Sequence, residues 1–456
     1  MLDSLIIHIP LYPEYFTTNG NLHTIVGDIA DFQVPAKPSY FKRDPETKEE
    51  TIGDLFSPFE SLPTSFSSMA MKFYAINVAN TFPYVAINAS AKLLQGHNVY
   101  GGESVLNLAS EMLALLKSNF PFFYDTLDVK NARISKIDST YSVRLSSERL
   151  IQPALRYLKN ADTGQRKADN RRDFHNTVYF GLATSPYGGA KIYGKNYELK
   201  ENIKKLELSA SRGNTQSVKM LDILSPELLE YSKGLLRFEC STKARQLEKC
   251  NLPKNLWDFI DYQLNTDKQV LAKLWRMWFD PILSTLKGDI MPDIDDSNVY
   301  EKCRERLSTL TKSGRISYTK ANNAYNFYKL LKSDGYEEVK KRYSSSTFND
   351  NIKALVDIDF PRATLKNLSS DVLPTVPVQE IITLDFKNQY PENYRPVVSQ
   401  HLKDYAKFVG CGKIASSMFP QLFGLDGELL PLPTDRKVKY KFDRKKKVVI
   451  NENVSH

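Results

Sequence analysis

The chain has 456 residues, 41% of them hydrophobic and 25% charged, which is too long for one small core and ordinary for a soluble globular protein of two or three domains. Its 62 Lys and Arg outweigh 53 Asp and Glu for a net charge of +9, a balance that suits a polyanionic partner. Four scattered cysteines (Cys240, Cys250, Cys303, Cys411) show neither CxxC nor metal-ligand spacing and fit a reducing cytoplasm, and no stretch approaches the roughly 20 apolar residues of a membrane span.

The N-terminal MLDSLIIHIPLYP has no basic region and an apolar run of only about five residues, so residues 5–9 read as a first strand and not as a signal peptide. Residues 35–63, rich in Pro, Gly and polar side chains, read as loop; residues 69–76 and 84–88 read as strands. Ser104 caps a helix running to Asn119, with Leu106, Ala109, Leu113 and Leu116 on one face. A long strand spans 132–144, followed by a helix over 146–159 in which Pro153 is the weak point. Residues 161–173 form a polar, charged loop, and strands at 177–181 and 190–196 flank a TSPYGG turn. Residues 201–231 are mostly helical and 234–243 are another strand. Residues 252–287 are helical with an interruption near Pro281, and carry Trp257, Trp275 and Trp278 as core anchors.

The run KGDIMPDIDDS at 287–297 marks a boundary between a unit of residues 1–288 and a helical one of residues 289–375. In the second unit Ser317 caps a helix with Tyr318, Ala321, Tyr325, Tyr328 and Leu331 on one face, and Asp334-Gly335 ends it. A short helix at 336–343, the turn Ser344-Ser345-Ser346 and a helix over 347–357 then give the outline of a helix-turn-helix, an outline that any helical bundle can also show. Residues 376–456 form an irregular extension ending in DRKVKYKFDRKKK, eight Lys or Arg against two Asp. In this disordered tail Lys445, Lys446 and Lys447 would grip DNA electrostatically, without sequence selectivity.

Several strands share one pattern. In 190–196, Lys191, Tyr193 and Lys195 alternate with Ala190, Ile192, Gly194 and Asn196, and Tyr197 continues the polar side. In 235–243, Arg237, Glu239, Ser241 and Lys243 oppose Leu236, Phe238, Cys240 and Thr242. In 136–144, Lys136, Asp138, Thr140, Ser142 and Arg144 oppose Ile137, Tyr141 and Val143. Such strands build an α+β fold: an antiparallel sheet with helices packed on one face and a polar face left open. On that face Asp138 and Glu239 could meet near Tyr193; the plain alternative is an exposed, salt-bridged surface.

These residue types suit phosphodiester chemistry. Two carboxylates can hold Mg²⁺ or Mn²⁺, which polarises phosphoryl oxygens. A tyrosine hydroxyl, with a pKa of about 10, needs help from the metal or from a lysine such as Lys195. Attack by Tyr193 would leave a phosphotyrosine ester and a free 3′-hydroxyl, and the conserved linkage energy would allow the same site to rejoin ends without a nucleotide; no P-loop and no GxGxxG occurs.

GDLFSPFESLPTSF (53–66), ASAKLLQGHNVYGG (89–102), ARISKIDSTYSVR (132–144) and GLLRFECSTKAR (234–245) together resemble the gene II replication initiators of filamentous bacteriophages, in order and spacing, to about residue 376. A more distant similarity is to plasmid rolling-circle initiators, whose R-x-D, Y-F-G…R-x-Y-x-K…E and R-x-E elements read here as Lys136-Ile137-Asp138, Tyr179-Phe180-Gly181 through Lys191-Ile192-Tyr193-Gly194-Lys195 to Glu198, and Arg237-Phe238-Glu239. The resemblance implies a variant of the HUH-endonuclease sheet, although no His-U-His motif is present. It implies a metal-dependent, origin-specific nickase of double-stranded replicative-form DNA that primes rolling-circle synthesis, then cuts and circularises the displaced single strand.

The family's tyrosine falls on Tyr193, with Tyr197 as the rival; Lys195 would assist, and Lys191, Arg237 and Lys243 would contact DNA. Asp138 and Glu239 would hold the metal, with His97 of LQGHNV as a further candidate. Relatives carry a glutamate at the position of Ala86, so a third ligand would have to be Asn88, His97 or water, and Ser57 and Ser65 replace family histidines. Host helicase and polymerase follow as partners, several copies could share the origin, and the bacterial host cytoplasm is the expected location. Met291 could start a shorter DNA-binding product. The chief alternative is a non-enzymatic DNA-binding repressor of phage replication, which the loss at Ala86 favours; a hydrolytic nuclease without a covalent intermediate is the third.

Overall fold

The computed structural model describes residues 1–20, 22–26, 37–38, 41–48, 50–52, 55–56, 60–63, 68–74, 77–78, 82–102, 104–161, 168, 174–182, 184–286, 296–369, 380–381, 383–399, 440–443 and 448–451. Its central element is an antiparallel sheet of eight strands: β1 (Leu2–Pro10), β2 (Glu60–Pro63), β3 (Ser68–Tyr74), β4 (Tyr84–Ser90), β5 (Arg133–Arg144), β6 (Thr177–Phe180), β7 (Gly188–Gly194) and β8 (Leu235–Lys243). The order across the sheet is β6-β7-β8-β5-β1-β4-β3-β2. The α+β class expected from strand alternation is what forms.

The apolar side of each strand turns to one face, where period-two alternation demands it. Leu5, Ile7, Ile9, Val85, Ile87 and Ile137 pack with Leu113 and Leu116 of α1 (Val105–Asn119), which Ser104 caps by accepting from the Asn107 amide at 3.4 Å. Ile192, Phe238 and Cys240 pack with α2 (Ile151–Lys159) and with Trp275 and Phe279 of a later helix, residues 270–284. All three tryptophans are buried and keep their indole donors satisfied: Trp257 on the Val129 carbonyl (2.8 Å), Trp275 on the Phe238 carbonyl (3.1 Å), Trp278 on the Thr242 hydroxyl (3.2 Å).

Several expectations need correction. Residues 35–63, read as loop, contain short strands, and Glu60–Pro63 is the edge strand β2 of the sheet. β7 ends at Gly194, and Lys195 opens a helix, α3 (Lys195–Ser211), instead of continuing the strand. Pro281 does not interrupt α4 (Val270–Ser284), which runs through it. The polar face of the sheet is not open along its length: Leu235 on that face packs with Val99 and Leu199, and Ile203, Leu224, Leu228 and Leu229 from α3 and two short helices that follow it close over them.

Beyond the boundary region lies a helical unit: α5 (Asp296–Leu307), a hairpin of Thr309–Leu310 and Ile316–Ser317, α6 (Thr319–Asp334), α7 (Tyr336–Arg342), α8 (Ser345–Val356) and α9 (Arg362–Asn367). Phe327, Tyr328, Phe348, Ile352 and Leu355 are among its core. Ser344 caps α8 by accepting from the Thr347 amide (3.3 Å), so helix, short turn and capped helix follow one another as the sequence suggested. The unit rests on α2 through Tyr157–Thr364 (3.0 Å) and Asn160–Asn367 (2.7 Å) hydrogen bonds.

The extension is not wholly detached. Residues 383–399 carry no regular element but cross the sheet domain: Phe386 lies against Tyr141 and Trp275, Ser399 bonds Glu111, and Tyr390 stacks on Tyr394 beside Tyr100. Gln389 lies beside β5 past the point where β1 begins, accepting from the Ser142 amide (2.8 Å) and donating to its carbonyl (3.0 Å). One side-chain amide thus stands in for a neighbouring strand. In the basic tail Tyr440–Asp443 pairs with Val448–Asn451, while Lys445, Lys446 and Lys447 lie outside the described residues, as does Met291. Gln389→Leu, close in size but without the amide, should orphan both Ser142 backbone groups and lower unfolding free energy by about 1–3 kcal/mol in urea titration, with an unchanged m-value.

Candidate active site

Antiparallel register places the polar side chains. On β8, Glu239 lies opposite Lys191 of β7 and Thr140 of β5, while Arg237 lies opposite Tyr193 and Ser142. One same-face step away, Asp138 of β5 pairs with Ser241 of β8 and with Ser4 of β1, and Lys136 pairs with Lys243. A register shift between Leu2 and Ser4 breaks the alternation of β1. It turns Asp3 toward the same place, and ligand atoms of Asp3, Asp138 and Glu239 come within 4.8 Å of one another.

All three carboxylates are buried, and each meets a cation. Asp3 pairs with Arg237, which has no exposed surface and also donates to the carbonyls of Asn98 (2.6 Å) and Val99 (3.1 Å). Asp138 accepts through Oδ2 from Lys136 (2.7 Å) and from the Ser4 hydroxyl (2.5 Å), leaving its buried Oδ1 without a partner. Glu239 accepts from Lys191 through Oε1 (2.7 Å) and from the Tyr193 hydroxyl through Oε2 (3.1 Å).

Burial raises the Glu239 carboxyl, with Asp3 adding to it; it also raises the Tyr193 phenol well above its ordinary value, against the pull of Arg237. Burial works against the Lys191 ammonium, but Glu239 outweighs it and the amine is raised. A cleft of about 360 Å³ opens on one side of this cluster, lined by Lys136, Asp138, Lys191, Glu239, Ser241 and Lys243, with Asp3 and Tyr193 outside its lining. At its side Gly188, at φ +130°, lets β7 approach the Ser241 carbonyl more closely than any Cβ would permit. Lys136 and Lys191 keep 27% and 34% of their side chains exposed, so their long stems can swing toward an entering anion.

The remaining predicted residues are placed otherwise. Lys195, at the first position of α3, is fully buried and donates to Asn98 Oδ1 (2.9 Å) and Glu198 (2.6 Å); burial and the nearby Arg237 bring its amine down to about 8. Its ammonium lies 5.8 Å from the centre of the Tyr193 ring. The chain turns from strand to helix where Gly194 packs so tightly that a Cβ would sit 2.6 Å from Ile151 and 2.7 Å from Asn176. Tyr197 consequently leaves the sheet face: it is 44% exposed and meets the His175 ring edge-on at 6.0 Å. His97 does not join the carboxylates. Its Nδ1 accepts from the Val99 amide (3.3 Å), its ring meets Tyr100, and burial lowers it to about 4.

Ala86 lies opposite His8 on β1, four residues from Ser4, a spacing of about 13 Å along the strand. That position is set apart from the carboxylate trio along the strand. Asp3 is the residue that sequence reasoning missed. Its one signal is a charge that breaks the apolar run of the first strand, and no alternation rule points a bulged residue at a particular face. A hard cation suits three carboxylates, and the orphaned Asp138 Oδ1 offers an uncommitted donor atom.

No solved structure matches the chain significantly. Among curated proteins it is 32% identical to the replication-associated protein of Salmonella phage IKe, over 88% of this chain and 97% of that protein. It is 36% identical to the replication-associated protein of Enterobacteria phage M13, over 76% of this chain and 86% of that protein. The family model for the N-terminal part of these phage replication-associated proteins matches residues 1–272, and its C-terminal counterpart matches residues 310–399. With more than half its length in the first match, and the carboxylates, Lys191 and Tyr193 all within it, the chain belongs to this family of phage replication-associated proteins.

Proposed function

We propose that the chain is the initiator of rolling-circle replication for a filamentous phage, and that it nicks one strand of double-stranded replicative-form DNA at the origin with Tyr193 as nucleophile. The observation that carries this reading is the Tyr193 hydroxyl bonded to Glu239 (3.1 Å) beside a trio of carboxylates and a lysine-lined cleft, in a chain of this family.

The residues divide the work. Lys136, Lys191 and Lys243 draw a phosphate into the cleft, and as Lys191 turns to it, Glu239 is freed from its ion pair. A carboxyl raised by burial is then the proton acceptor for Tyr193, whose own buried phenol ionises poorly unaided. The phenol oxygen bonds to phosphorus, the bond to O3′ breaks, and the proton passes to the leaving O3′. The products are a 5′-phosphotyrosine link and a 3′-hydroxyl primer, from which host helicase and polymerase would proceed. The reverse step, in which a 3′-hydroxyl attacks the phosphotyrosine, circularises the displaced strand. Asp3, Asp138 and Glu239 would hold Mg²⁺ or Mn²⁺, which supplies charge stabilisation at the phosphoryl oxygens. Arg237 and Lys195 act as positioning residues: Arg237 fixes Asp3 and the 98–99 loop, and Lys195 fixes that loop against α3. Among the described residues no helix is long and apolar enough to cross a membrane.

The deciding assay is nicking of supercoiled origin plasmid with Mg²⁺, with adducts resolved on a denaturing gel. Tyr193→Phe should lose more than about 10³-fold in nicking and form no adduct while binding DNA normally, and Tyr197→Phe should behave as wild type. An adduct on Tyr193→Phe would move the nucleophile elsewhere; a wild type that binds without nicking would make the chain a DNA-binding repressor. Lys195→Ala should lose activity equally at low and high salt, because a buried ammonium does not grip the DNA backbone. Calorimetric Mn²⁺ titration should show Asp138→Asn and Asp3→Asn weakened about 10–100-fold and His97→Gln unchanged; equal affinity in all would remove the trio as the metal site.

A further inference from the structure

The hairpin between α5 and α6 stands out from the helical unit, and among the described residues nothing covers its two large aliphatic side chains. Leu310 and Ile316 pair directly across its two strands and are 75% and 58% exposed. Two large aliphatic side chains side by side in water are costly, and nothing in the hairpin's own fold needs them there. The tip is firmly built: the Thr311 amide donates to the Arg315 carbonyl (2.8 Å), the Gly314 amide to the Thr311 carbonyl (2.9 Å), and the Arg315 amide to the Thr311 hydroxyl (3.1 Å). A Cβ added at Gly314 would meet nothing within 4 Å, so the tip projects into open space.

Charge identifies the kind of partner. Residues 307–333 hold five cations, Lys312, Arg315, Lys320, Lys329 and Lys332, and no carboxylate; of these Lys332 is paired with Asp296 (2.6 Å). Lys312 and Arg315 flank the exposed pair, and at the hairpin's base a groove of about 450 Å³ runs between Ser317, Asn323 of α6 and Asn351 of α8, with Asp350 as the one acid in its lining. The hairpin therefore lies beside the polar side of α8, the second helix of the helix-turn-helix outline.

We propose that residues 309–317 are a DNA wing: with α8 toward the major groove, Leu310 and Ile316 wedge against a base step from the adjacent minor-groove side, while Lys312 and Arg315 hold the flanking phosphates. Apolar wedges set between cations are how proteins unstack and kink duplex DNA. This deepens the initiator reading and rests on it: a wedge at the origin would help open the duplex whose strand Tyr193 attacks.

The test uses the full chain and a short duplex spanning the nick mapped on the phage's own replicative form, carrying 2-aminopurine at successive positions. Wild type should raise the fluorescence at one step. The L310S/I316S double variant should lose that signal and bind about tenfold more weakly, with an unchanged dependence on salt. The K312A/R315A double variant should lower the slope of log affinity against log salt by about 2. Both pairs are solvent-facing, so matching urea midpoints will confirm intact folds. If both variants bind and unstack as wild type does, the wing is overturned while initiation stands. Unchanged DNA binding with lost self-association would make the hairpin a contact between copies and would also overturn it. A wild type that does not bind the duplex sinks the initiator reading, and the wing with it.

Discussion

Arg237 is a guanidinium with no exposed surface, and a charge so placed is tolerable only if it is paired and hydrogen-bonded; both terminal nitrogens are, while the buried Nε is left without a partner. Three distant parts of the chain meet here: β8, which carries the guanidinium; the start of β1, which supplies the Asp3 carboxylate; and the loop after β4, which supplies the Asn98 and Val99 carbonyls. Removing one side of such a pair typically costs about 3–5 kcal/mol, because the other is left buried and alone. The bulge that turns Asp3 inward, the course of the LQGHNV loop and the place of Tyr193 across from Arg237 on β7 all serve that single requirement. Lys195 repeats the logic at smaller scale, tying Asn98 of the same loop to the first turn of α3.

The site that results is balanced and therefore quiet. Asp3, Asp138 and Glu239 face Arg237, Lys136 and Lys191 one to one. Two of the three cations sit on long, partly exposed stems at the mouth of the cleft, and the third is locked beneath it. In the proposed mechanism an entering phosphate would compete only for the two on exposed stems, and the anion itself would unmask the carboxylates. The cluster thus holds its charges paired in the unliganded arrangement.

Alternation makes much of this legible. In β5, β7 and β8 the period of two separates Lys136, Asp138, Lys191, Tyr193, Arg237 and Glu239 from the core side chains, and a sheet with one helix-covered face follows. What alternation cannot carry is register across strands, and it fails where a strand is irregular. Asp3 is hidden by a bulge. Lys195 and Tyr197 read as strand because the helix starting at Lys195 has no side-chain cap to announce it; its N-cap is Gly194. The cover over the polar face has its signal in Leu199, Ile203, Leu224 and Leu228, an apolar series in a helical stretch that needs something to pack on. Residues 383–399 give no periodic signal at all, because they bind the domain one side chain at a time.

That last segment has a meaning for how the chain can be divided. Past Thr140, whose amide still donates to the Met1 carbonyl (2.9 Å), the flank of β5 is no longer paired with the N-terminal strand, and Gln389, with Glu380 bonded to Ser146 further along, lies against it. A fragment ending before residue 380 would present this flank bare, with Tyr141 and Trp275 stripped of Phe386 beside it. Unpaired backbone next to uncovered aromatics is a template for another chain's strand, so such a fragment is expected to associate and precipitate even though its sheet is intact. The sheet domain continues, in the physical sense, at least to Ser399, and the helical unit between is an insertion within it.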